Sequence, residues 1–107
     1  MYSIIVCEDD PTQLHAISTT IKNFVLFHEE DFDKSFSTPN PEKCLDYLKS
    51  HNIQNGIYLL DIDLGTSMNG IDLAEQIRKL DVQSEIIFIT SHNEMASLTL
   101  KRRVEAL

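Results

Sequence analysis

The sequence predicts a doubly wound α/β fold, a parallel sheet with helices on both faces. Three observations carry that prediction. Short apolar runs of strand length alternate with longer segments of helical periodicity. The runs are continuous in apolar character, as strands covered on both faces are. Turn and cap residues mark the boundaries between them. Parallel neighbours need crossover helices, so strand-helix alternation at this spacing gives a doubly wound sheet. A chain of 107 residues, 42% of them apolar, allows one domain with a real core. No internal repeat, low-complexity tract or interdomain linker interrupts it.

Residues 2–7 form the first strand, rich in isoleucine and valine. Pro11 suits the first turn of a helix, with Asp10 before it as the cap. Leu14, Ile17, Ile21 and Phe24-Val25 then recur at helical spacing to about residue 27. Residues 31–37 alternate, Phe32 and Phe36 among polar neighbours, as an edge strand does. Asn40-Pro41 opens a second helix, whose stripe of Cys44, Leu45 and Leu48 runs to about His51. Asn55-Gly56 is a turn, and residues 57–62 are the third strand. Residues 64–69 read as a polar loop, after which Gly70 permits the tight start of a third helix. Ile71, Ala74, Ile77 and Leu80 mark the expected buried face of that helix. Residues 85–90 are the fourth strand, and a fourth helix is expected over about 93–103.

Composition excludes several classes of function. A net charge of -8 argues against direct contact with nucleic acid or anionic membrane. Cys7 and Cys44 lack metal or redox spacing, and Cys7 falls in a buried strand. A reducing cytosol fits this usage, and no signal peptide or stretch of 18 apolar residues is present. A cytoplasmic location is therefore expected.

The chemistry gathers at strand ends. Glu8-Asp9-Asp10 follows the first strand, Asp61 and Asp63 end the third, and Thr90-Ser91 ends the fourth. Ligands of open parallel sheets bind at the carboxyl ends of the strands, so these residues describe one pocket. Clustered carboxylates repel unless a cation intervenes. Mg²⁺ is the default occupant when a phosphoryl group is also involved. The chain reads as a metal-dependent phosphoryl site.

Four segments together carry a family resemblance: Ile4-Ile5-Val6-Cys7-Glu8-Asp9-Asp10-Pro11, Tyr58-Leu59-Leu60-Asp61-Ile62-Asp63-Leu64, Asn69-Gly70 and Ile87-Phe88-Ile89-Thr90-Ser91. In this order and spacing they resemble a two-component response-regulator receiver domain, over nearly the whole chain. Cys7 to Pro11 and Thr90-Ser91-His92 look like the peptide-pheromone-responsive subgroup, whose members carry a LytTR-type DNA-binding output domain. Gly70 lies nine residues after Asp61, one more than in most receivers, and the usual loop proline is missing.

The resemblance implies a flavodoxin-like fold of strand order 2-1-3-4-5 and a role for each site residue. Asp61 would accept a phosphoryl group from a sensor histidine kinase, forming an acyl phosphate. Asp9 would bind Mg²⁺, Glu8 would bind it directly or through water, and the backbone carbonyl of Asp63 would complete the ligands. Thr90 would contact the phosphoryl group and move with it. Such a domain is a signalling phosphoacceptor rather than an enzyme in the ordinary sense. Its phosphorylation would switch homodimerisation and the DNA binding of a longer parent protein.

The resemblance also implies a fifth strand bearing a lysine and a fifth helix. By spacing, residues 104–107 lead into that strand, and Lys101 lies on the wrong element to replace the lysine. The chain is thus expected to be an incomplete receiver without a second domain, exposing its fourth strand to self-association.

Each site residue has a plainer alternative. Asp10 is expected to cap its helix rather than bind metal. Glu8 and Asp9 could be solvated strand-end charges, and Thr90 a simple β-former. Ser91 stands where receivers usually have alanine or glycine. His15, His28 and His51 are expected on exposed faces, and His92 lies near the pocket. Asp61-Ile62-Asp63 also matches the nucleophile pair of haloacid-dehalogenase phosphatases, but there that strand comes first and Gly65 breaks the pattern. A calcium EF-hand loop starting at Asp61 fails at Gly65. A receiver fold that no longer takes phosphate is the serious rival.

Overall fold

The computed structural model describes residues 1–65 and 68–89. Its elements run β1 (Tyr2–Cys7), α1 (Pro11–Phe27), β2 (Phe32–Thr38), α2 (Pro41–His51), β3 (Gly56–Asp61), α3 (Gly70–Leu80) and β4 (Glu85–Ile89). Thr90, Ser91, His92, Lys101 and the expected fourth helix lie outside the described residues.

All strand pairings are parallel, in the order β2-β1-β3-β4. The chain winds outward from β1 to β2, then back past β1 to β3 and β4. Right-handed crossovers therefore place α1 on one face and α2 and α3 on the other. The main core lies on the α2/α3 face. There Ile5, Cys7, Tyr58, Leu60, Ile86 and Phe88 of the sheet meet Cys44, Leu48, Leu73, Ala74 and Ile77 of the helices.

The helix starts follow from side-chain chemistry. Asp10 caps α1 by accepting the Thr12 N–H at 3.0 Å, with Pro11 in the first turn. Asn40 caps α2 through the N–H groups of Glu42 (2.8 Å) and Lys43 (3.3 Å). Asn69 and Asp72 cap α3 reciprocally, each side chain accepting the other's backbone N–H.

Four expectations need correction. The third strand ends at Asp61, because the carbonyl of Ile62 leaves the ladder to accept the Gly70 N–H at 2.7 Å. The second strand sits one residue later than expected, at Phe32–Thr38. On α3, Ile71 and Leu80 are 37% and 38% exposed, while Leu73 is buried with Ala74 and Ile77. Gly70 packs against the end of β3 and sets that face. Finally, the loop after β3 is not wholly polar: Leu64 is buried and Met68 packs against the core.

No residue of α1 is buried, although its apolar stripe was expected to pack. Leu14, Ile17, Ile21 and Val25 are half-buried, and an apolar groove of about 340 Å³ lies between α1 and Leu59 of β3. Among the described residues this helix covers its face of the sheet alone.

At the opposite end from the acidic loops, Asp81 is fully buried. Its carboxylate accepts the N–H groups of Asn55 (3.0 Å) and Gly56 (2.7 Å) and the Tyr58 hydroxyl (2.9 Å). This strap joins the end of α3 to the start of β3. It positions the strand whose far end is Asp61.

Candidate functional site

Parallel register assembles the site. Cys7 lies opposite Leu60, so the next residues, Glu8 and Asp61, sit side by side at the strand ends. Asp61 in turn lies opposite Ile89, the residue before Thr90. Glu8 is still tied to the sheet, its N–H donating to the Thr38 carbonyl at 3.2 Å. Glu8 is 3% exposed and Asp61 7% exposed. Asp9 is exposed above them. One carboxylate oxygen from each of Glu8, Asp9 and Asp61 falls within a 4.8 Å cluster.

Among the described residues no ion pair reaches the cluster. Glu8 Oε2 accepts the Asp10 N–H at 3.3 Å, but Glu8 Oε1 is buried without a hydrogen bond among the described residues. A buried carboxylate oxygen of that kind is costly unless a cation meets it. Burial, then hydrogen-bond contact with Glu8, its charge, and contact with Asp9 push the Asp61 carboxyl up to about 8. The Asp63 N–H, donating to Asp61 Oδ1 at 3.3 Å, opposes this only partly. Burial foremost, then the charges of Asp61, Glu8 and Asp9, push the Cys7 thiol up to about 12, so it is no nucleophile.

Three carboxylate oxygens with one unmet buried lone-pair set suit a hard divalent cation. Glu8, Asp9 and Asp61 are the residues that could hold it. The Asp63 side chain is not among them. It is exposed, and its Oδ1 accepts the Gly65 N–H at 3.2 Å, forming a small turn. Asp10 is spent on its helix cap. Thr90, the expected phosphate contact, lies outside the described residues. His15, His28 and His51 are exposed, as expected.

Two glycines bring the loop to the site. A Cβ on Gly70 would collide with the carbonyl oxygen of Asp61, so α3 can start against the strand end only from glycine. Gly65 adopts a φ of +64°, and a Cβ there would stand 3.1 Å from Asp9 Oδ2. The first was legible in the sequence as a tight helix start. The second was visible only as a broken motif.

An open parallel sheet with buried carboxylates converging at its strand ends is the arrangement expected of a signalling receiver. The chain belongs to the response regulator receiver domain family, whose pattern it matches over residues 4–106. It is 42% identical to accessory gene regulator protein A of Staphylococcus aureus (strain N315), over 97% of this chain and 43% of that protein. Its identity to the protein of the same name from Staphylococcus epidermidis is 41%, with the same coverage. The chain thus spans less than half the length of these curated relatives. Among solved structures, the MaeR response regulator bound to beryllium trifluoride matches with a TM-score of 0.63 at 28% identity, covering 95% of this chain and 80% of that one. A DNA-binding response regulator of the LuxR family from Staphylococcus aureus shares the fold, with a TM-score of 0.62 at 23% identity over 92% of this chain and 80% of that one.

Proposed function

We propose that this chain accepts a phosphoryl group on Asp61 from a sensor histidine kinase, with Mg²⁺ held by Glu8, Asp9, Asp61 and the Asp63 carbonyl. The observation that carries this reading is the three-carboxylate cluster, in which the buried Glu8 Oε1 has no hydrogen bond among the described residues. A carboxyl oxygen of Asp61 attacks phosphorus as the P–N bond of the phosphohistidine breaks. The electron pair goes to the imidazole nitrogen, which takes up a proton from solvent. Asp63 N–H fixes one Asp61 oxygen at 3.3 Å and so orients the carboxylate. Bound Mg²⁺ would bring Asp61 into its ionised form and neutralise phosphoryl charge. Thr90, directly after the residue opposite Asp61, would contact the phosphoryl oxygens and shift the following segment between two packings.

In this reading residues 1–107 are one receiver unit of a cytoplasmic protein, and the domain catalyses only its own phosphorylation and dephosphorylation. The similarity to accessory gene regulator protein A supports a longer, pheromone-responsive transcription regulator as the parent. Phosphorylation would promote homodimerisation, and DNA contact would fall to another domain. Intact-mass spectrometry after incubation with acetyl phosphate tests the chemistry, on this chain and on one extended to the relatives' length. One phosphoryl group is expected, lost on chelation and in Asp61→Asn. No uptake by the extended chain would leave a phosphate-independent interaction module.

A further inference from the structure

We propose that Gly65 is a positioning residue for the acidic site, its missing side chain leaving Asp9 free to face Glu8 and Asp61 and so setting the preference for a small cation. The inference rests on the metal reading above and concerns what in this chain shapes that site. Its basis is a short relay of backbone bonds. The Asp63 N–H donates to the Asp61 carboxylate at 3.3 Å, and the Asp63 carboxylate accepts the Gly65 N–H at 3.2 Å. These two bonds fold residues 61–65 tightly, and Gly65 lies beside Asp9.

Gly65 ends this fold in the left-handed backbone region, at φ +64°. A proline at this position, locked near φ of about −65°, could not adopt it. The fold also puts the Gly65 Cα against Asp9, where a Cβ would stand 3.1 Å from Oδ2. Asp9 is exposed, so its carboxylate can yield by rotating outward. A contact of 3.1 Å obliges it to give by a few tenths of an ångström, which displaces its oxygen within the 4.8 Å cluster. Mg²⁺ demands near-ideal octahedral geometry at about 2.0–2.1 Å, whereas Ca²⁺ accepts longer and more variable ligand distances. Crowding Asp9 therefore penalises Mg²⁺ more than Ca²⁺.

The test is titration calorimetry of Mg²⁺ and Ca²⁺ into the native chain, Gly65→Ala and Gly65→Asn. Asparagine tolerates the left-handed region while carrying the same Cβ, so it separates crowding from backbone strain. Both variants are expected to lose about tenfold in Mg²⁺ affinity, at the lower end for groups that orient a metal ligand. Both should lose less for Ca²⁺, so the ratio of the two affinities shifts. A structural role alone would lower the metal-free melting temperature and leave that ratio unchanged. An Mg²⁺ affinity in Gly65→Asn equal to that of the native chain overturns the inference, as does an equal loss for both ions. Failure of the native chain to bind Mg²⁺ overturns the metal reading itself.

Discussion

Asp61 is buried at the end of a core strand, whereas the attack on phosphorus proposed for it would need the carboxylate ionised. In the absence of a cation burial prevails, and the carboxyl is held up to about 8. The consequence for stability has a definite sign. Between the ordinary carboxylate value and about pH 8 the folded chain keeps a proton that the unfolded chain has lost. The unfolded state then binds fewer protons, so stability falls as pH rises through this window. Melting temperatures in chelator should decline from about pH 5 to about pH 8, and Asp61→Asn should flatten the decline. A native profile that stays level or rises would show that the cluster does not hold its proton.

The elements owe their placement to polar residues at their ends as much as to apolar stripes. Caps at Asp10 and Asn40 were legible because a short polar side chain before a helix start has one physical use, whereas Asn69 was read only as the end of a polar loop. Asp81 was not legible, since an aspartate just after a helix reads as a solvated end. Only the approach of the β3 start to the end of α3 gives it three donors. Asp81→Ala would strand buried donors and should cost on the order of 3 kcal/mol in denaturant unfolding. A loss below about 1 kcal/mol would mean water replaces the carboxylate there. The buried face of α3 was misread for a related reason. Helical periodicity fixes spacing between apolar residues, while the close contact of Gly70 with β3 chooses the face.

Across the whole molecule the two faces of the sheet are unequally packed. The α2/α3 face holds a continuous buried cluster, and the α1 face holds half-buried residues beside a groove. Truncations should report this asymmetry. Ile77→Ala should cost about 2–5 kcal/mol by urea titration, as for other deep core sites. Ile17→Ala should cost clearly less, because Ile17 retains contact with solvent. Equal costs would show that the α1 face is as fully packed as its opposite.

Strand-helix alternation, the direction of the chain and the residence of Glu8, Asp9 and Asp61 at strand ends were determined by the sequence alone. They depend on local periodicity and on the general rule that parallel strands end at a common edge. Tertiary structure alone decided which oxygen of Glu8 has no hydrogen bond among the described residues, that the Asp63 side chain serves the loop, and that Gly65 stands against Asp9. Those outcomes turn on distances between segments remote in sequence. Register and loop path set such distances, and no local pattern encodes them.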